Sequence, residues 1–172
     1  TVKRAQRLFS KLRELAPEDV SLELLHSQFP LEDRQNRENE LSRAYGRNEN
    51  GENRPARAIV VGTQVLEQSL DLDFDVMVSD LAPVDLILQR AGRLHRHVRS
   101  RPAAHAIPKF LVNCAADPAG NLKQGSDRSI YAAYIMRMTH LTLAAKSKTP
   151  IALPADYRIL IEAVYGAALP KE

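Results

Sequence analysis

Short apolar runs alternate along this chain with longer segments whose apolar residues recur at helical spacing. That alternation constrains the fold more than any other feature of the sequence. Residues 3–15 place Ala5, Leu8, Phe9, Leu12 and Leu15 at helical spacing until Pro17 stops the run. Residues 20–25 alternate and then turn apolar, as a strand does. Pro30 suits a helix N-terminus, and Leu31–Tyr45 reads as a polar-faced helix closed by Gly46. A Gly-, Asn- and charge-rich loop over 47–56 leads into residues 58–61, a short apolar strand of the fully buried kind. A turn and a short helix over 62–70 follow, then a strand over 74–81. Pro83 opens a helix that runs to about Gly92, and Lys109–Asn113 supplies a fourth strand. Four helix–strand alternations predict an α/β fold, a parallel sheet with helices on both faces.

Past Asn113 the texture changes. Residues 115–126 read as a polar loop and 129–144 as a helix with Ile130, Tyr134, Met138 and Leu141 on one face. Residues 146–153 are a Pro-containing connector, and 156–165 form a last helix ended by Gly166. The expected organisation is therefore one α/β domain over 1–115 and a linker with a helical extension over 116–172. The chain opens on Thr1 and on a helix, so a longer chain is expected to supply a strand upstream. No apolar run is long enough for a membrane span and no secretory signal opens the chain, so a cytoplasmic setting is expected. The single cysteine, Cys114, rules out an internal disulfide and lies in an apolar run, which reads as a buried thiol.

Two segments carry chemistry. The first is GTQVLEQSLD, residues 62–71, at the end of a predicted strand. Small and hydroxyl residues at the C-terminal edge of parallel strands sit where open α/β sheets bind ligands. Backbone amides there, with the Thr63 hydroxyl, can hold a phosphate; alternatively Thr63 caps the following helix. The second is QRAGRLHR, residues 89–96. The formal net charge is only +3, yet Arg90, Arg93, Arg96, Arg99 and Arg101 crowd together with His95 and His97, a pattern that suits phosphate oxygens. Arg90, Arg93 and Arg96 recur every third residue, which on a helix or tight turn sets them on one side. Ala91 and Gly92 let backbone pack closely. The other account of these arginines is a salt-bridged face with Asp80, Asp85 or Glu67.

In combination these segments resemble the superfamily 2 helicases. Residues 62–71 match their motif V, 89–96 their motif VI, and LHSQF, residues 25–29, sits where motif IV is expected. The resemblance implies the second of two RecA-like domains that clamp ATP between them. It implies that Arg93 and Arg96 are arginine fingers and that Gln89 and Arg90 contact the phosphates or couple to the DNA site. Asp71, with Gly62, would line the nucleotide side and link it to the DNA site. Thr63, Gln64, His26 and Ser27 would contact the nucleic-acid backbone. The chain is more closely similar to the CRISPR-associated helicase–nuclease of type I systems, subtype I-E above all. TQVLEQSLDLDFD (63–75), QRAGRLHRH (89–97), PLEDR (30–34), LPADYR (153–158) and Val164-Tyr165 carry that likeness. Ser69 and His95 replace glycines usual in the wider superfamily and favour this subgroup over RNA helicases.

The resemblance implies ATP with Mg2+, the ion held mainly by an N-terminal RecA-like domain. It also implies single-stranded DNA and a Cascade-type surveillance complex as partners. No P-loop, Asp-Glu-x-His box or His/Asp nuclease cluster occurs in the sequence, so the chain alone is expected to be inactive. The alternating Asp71, Asp73 and Asp75 read as structural or coupling residues, with no metal site. Other readings are a nucleic-acid-binding module without ATPase coupling, an RNA helicase domain, and a docking module for a surveillance complex that would use 129–165.

Overall fold

The computed structural model describes residues 1–47, 53–67, 70–114, 132–147 and 149–166. Ser69, the polar loop over 115–126, and Ser129 with Ile130 at the predicted start of the next helix lie outside them. The element order is α1 (Val2–Leu15), β1 (Ser21–Leu25), α2 (Leu31–Tyr45), β2 (Ala58–Gly62), β3 (Val76–Asp80), α3 (Val84–Ala91), β4 (Lys109–Asn113), α4 (Ala133–Ala145) and α5 (Tyr157–Tyr165). Single 3-10 turns lie at Gln64–Glu67 and Ala103–His105. The fold is α/β and RecA-like. Its described residues divide into two compact units, one of residues 1–74 with 95–101, the other of 75–94 with 102–172.

In the first unit β1 and β2 pair in parallel, Ser21 opposite Ala58 and Leu25 opposite Gly62. A parallel pair needs a crossover, and α2 supplies it. This helix is largely polar, and it buries Leu41 and Tyr45, one turn apart. They join Leu25, Leu70 and Leu72 in a core flanked by Val60, Val65, Leu66 and Phe74. Each such side chain, fully buried, stabilises by roughly 1.5–3 kcal/mol. Helix α1 inserts Ala5 fully and Phe9 and Leu12 partly, whereas Leu8 and Leu15 stay exposed.

In the second unit β3 and β4 pair in parallel, Val76 opposite Lys109 and Asp80 opposite Asn113. Asn113 donates from its side-chain amide to the Asp80 carboxylate at 2.9 Å. Val84 and Leu88 of α3 pack with Leu160 and Val164 of α5, and Ile135 and Met138 of α4 lie against them. The C-terminal helices thus share a core with α3.

The strands are less covered than their apolar sequences imply. In β2 burial rises along the strand, from exposed Ala58 and Ile59 to buried Val61. In β3 and β4 it alternates by face: Val78 is 69% and Leu111 55% exposed, while Ser79 is buried and Phe110 half-buried. A run of β-branched residues sets strand conformation, but burial depends on what packs against each face. Cys114 is likewise only half-buried. Its thiol lies 3.4 Å from His140 Nδ1, and burial raises its pKa.

Candidate nucleotide and nucleic-acid site

The C-terminal ends of β1 and β2 bring the first group of candidates together. Because Leu25 pairs with Gly62, the residues just beyond them, His26 and Thr63, emerge at one sheet edge. The Thr63 N–H donates to the Leu25 carbonyl at 3.2 Å, and the Thr63 carbonyl accepts from Leu66 at 3.1 Å to start the 3-10 turn. At Gly62 any larger residue would have to displace the Leu66 side chain. A Cβ would stand 2.2 Å from Leu66 Cδ1 and 3.2 Å from the Leu25 carbonyl oxygen. Thr63 is half-buried, and Gln64 and Ser27 are exposed. His26 is buried. Its ring stacks on Phe29 at 4.1 Å, its Nε2 lies 3.2 Å from the Gln6 side-chain nitrogen, and Arg37 covers the Phe29 ring at 4.5 Å. His26 therefore shapes this loop from within, and Ser27 presents it to solvent.

A second group in the same unit joins the two chemistry-bearing segments. The Asp71 carboxylate pairs with the Arg96 guanidinium and lies 3.1 Å from His97 Nε2. Two residues on, Asp73 is 1% exposed and accepts hydrogen bonds from a backbone amide and from arginines. The Arg96 backbone N–H donates to it at 2.8 Å and Arg99 Nε at 2.7 Å. One Arg101 nitrogen reaches both oxygens at 2.8 Å. Arg54 approaches it at 3.9 Å and also bonds its backbone carbonyl. Burial pushes the Asp73 pKa up. The bonds and charges of Arg101 and Arg99 outweigh that and hold it below the usual carboxylate value. The sequence pattern grouped Arg99 and Arg101 with a phosphate-facing block. The structure turns both onto Asp73 instead, a carboxylate 26 and 28 residues earlier.

Gln89, Arg90 and Arg93 belong to the second unit. Gln89 is exposed on α3. Arg90, in the last turn, donates to the Ser79 hydroxyl at 2.6 Å and to the Asp80 carbonyl at 3.2 Å. Helix α3 ends at Ala91, so Arg93 lies in the following turn, its N–H on the Arg90 carbonyl at 2.9 Å. The spacing by three is therefore helical only in its first member. Gly92 needs no special backbone here. Its φ is −63°, and a Cβ would sit 3.4 Å from the nearest atom, the Gln89 carbonyl oxygen. His95, where the chain passes from the second unit back into the first, takes a positive φ of 47°. Its N–H bonds the Phe74 carbonyl at 3.0 Å.

Residues 1–99 match the family model described as CRISPR-associated nuclease/helicase Cas3, C-terminal. The chain belongs to the Cas3 family. The CRISPR-associated nuclease/helicase Cas3 of Streptococcus thermophilus is 39% identical over 169 residues, which is 98% of this chain and 17% of that protein. The crystal structure of T. fusca Cas3-ATP superposes with a TM-score of 0.90 at 34% identity, over 96% of this chain and 20% of that one. A chain of a CRISPR RNA-guided surveillance complex, pre-nicking, superposes with a TM-score of 0.82 at 34% identity, over 96% of this chain and 20% of that one. The chain thus spans a fifth or less of these Cas3 relatives. Among the described residues no helix is long and apolar enough to cross a membrane, and no cluster of three or more His, Cys, Asp or Glu gathers as for a metal.

Proposed function

We propose that this chain is the second RecA-like half of an ATP-dependent single-stranded DNA translocase, or helicase, of CRISPR interference in the cytoplasm. It lends arginine fingers and DNA-backbone contacts to a site whose P-loop comes from an N-terminal RecA-like domain. The observation that carries this reading is the Asp71–Arg96 pair, which ties the motif V-like segment to the motif VI-like one. In such a domain Arg93 and Arg96 stabilise charge that builds on the transferred phosphoryl group. Gln89, Arg90, Gly62 and Asp71 serve the nucleotide side. Thr63, Gln64 and Ser27, with the loop shaped by His26, hold the DNA backbone largely without sequence preference. Asp71 and Asp73 are engaged by guanidinium groups, so the Mg2+ that accompanies ATP is assigned to the other domain. The match to a chain of a surveillance complex supports such a complex as the recruiting partner.

The test is made in the full-length protein. Arg93→Ala or Arg96→Ala should leave ATP affinity nearly intact and lower turnover by roughly a thousandfold or more. Lysine should rescue poorly, because it lacks the planar fork. The 172-residue chain alone should show no DNA-stimulated turnover above background. Variants that melt early while the folded fraction keeps full turnover would make the arginines structural. Equal DNA affinity with and without ATP, with no arginine effect on rate, would favour a binding module without ATPase coupling.

A further inference from the structure

Arg96 is fixed at three points, and only one of them is its own side chain. The preceding N–H, that of His95, bonds the Phe74 carbonyl at 3.0 Å, where the backbone turns through a positive φ of 47°. The Arg96 N–H bonds Asp73 Oδ1 at 2.8 Å. Its guanidinium pairs with Asp71. Beyond Arg96 the chain is pinned to the same buried Asp73 by Arg99 and Arg101. Arg101 also donates to the His97 carbonyl at 3.0 Å, which closes a loop over residues 97–101. A buried carboxylate with this many charged donors is costly to desolvate and is weak evidence of stabilisation in its own right. Its geometry instead gives specificity of path. A single anion receives one backbone amide and two guanidinium groups from six consecutive residues, 96–101.

We propose that Asp73 is a positioning residue for Arg96. By holding the Arg96 backbone amide and the two arginines beyond it, Asp73 fixes the course of residues 96–101, so that the Arg96 guanidinium is presented beside Asp71 and ready to exchange that carboxylate for a phosphate. The proposal rests on Arg96 being a finger, the reading of the previous section. An arginine finger acts only when its terminal nitrogens stand within hydrogen-bond reach of the reacting group. A shift of about 1 Å in such a group can cost on the order of a hundredfold in rate. Asp71 is too exposed to set the backbone alone: its side chain is 52% and that of Arg96 43% exposed. Asp73 provides the fixed point that Asp71 lacks.

The experiment is a double-mutant cycle in the full-length protein, with Asp73→Asn, Arg96→Ala and both together. Asparagine keeps the shape of aspartate and one acceptor oxygen, and loses the charge that gathers Arg99 and Arg101. Turnover number, KM for ATP and melting temperature are measured for each folded protein. Asp73→Asn should lower the turnover number by roughly ten- to a hundredfold with KM for ATP within about twofold. The double variant should turn over no more slowly than Arg96→Ala alone, because a residue acting through Arg96 has nothing left to position. Asp73→Glu should recover part of the rate. If Asp73→Asn lowers only the melting temperature, or if the two losses multiply, the proposal is overturned while the finger reading stands. If Arg96→Ala keeps full turnover, the finger reading fails, and the positioning role with it.

Discussion

Asp71 and Asp73 stand two residues apart and draw arginines from the same short stretch, but they hold them in opposite ways. The Asp71 side chain is half in water, as is its partner Arg96. Asp73 is 1% exposed, and the side chain of its partner Arg101 is 8% exposed. An exposed pair is worth about 0–1 kcal/mol and can exchange one partner for another. A buried one cannot release its partner without stranding a charge in a medium of low dielectric. The chain thus uses one carboxylate to fix the path of residues 96–101 and its neighbour to hold an arginine that is able to leave.

The strongest way to break this contrast is to remove the buried carboxylate. Asp73→Ala should cost ~3–5 kcal/mol in unfolding free energy, since it leaves two guanidinium groups without their anion. The low end is expected, because the Arg99 side chain is 20% exposed and can swing toward water. Urea titration of the full-length protein, followed by a probe within residues 1–101, measures it. An unchanged midpoint would mean that the bonds to Asp73 contribute no net stability.

Acid sharpens the same contrast with a smaller effect. The folded pKa of Asp73 is lowered, the case in which the unfolded chain binds the proton more tightly. Its contribution is therefore fully present above the unfolded value of about 3.9 and lost as pH falls through the folded value. Stability measured from pH 6 downward should decline less steeply below about pH 4 in Asp73→Asn than in the unaltered protein. Parallel curves would assign the acid limb to other carboxylates.

Much of this architecture was legible in the sequence, because local pattern decides it. The helix Leu31–Tyr45 and the strand Lys109–Asn113 lie where periodicity and the flanking Pro30 and Gly46 place them. The family was legible from two short segments whose residue order is more specific than their composition. Three things were not. Strand coverage was overestimated at Ile59, Val78 and Leu111, because an apolar run does not say which of its faces another layer will cover. The spacing of Arg90, Arg93 and Arg96 does not say where the helix stops, and it stops at Ala91, so that only Arg90 is helical. The destination of Arg99 and Arg101 was hidden, because their partner lies more than 25 residues away and ion pairs at that range leave no periodic trace. Alternating Asp71 and Asp73 look equivalent in sequence. What sets them apart is that Arg54, Arg99 and Arg101 close over Asp73 and leave Asp71 half in water.

The smallest expected effect is the most telling for Asp71. Asp71→Asn should change unfolding free energy by ~1 kcal/mol or less, because its pair with Arg96 is half in water. Salt separates it from Asp73→Ala. Near 1 M salt the screening length falls to about 3 Å, so exposed pairs fade while buried ones persist. The Asp71→Asn protein should then match the unaltered protein in stability, and Asp73→Ala should remain well below both. If instead Asp71→Asn destabilised as much as Asp73→Ala and high salt did not close the gap, Arg96 would be locked onto Asp71. An arginine held that firmly could not change partners, and the division of labour between the two carboxylates would fall.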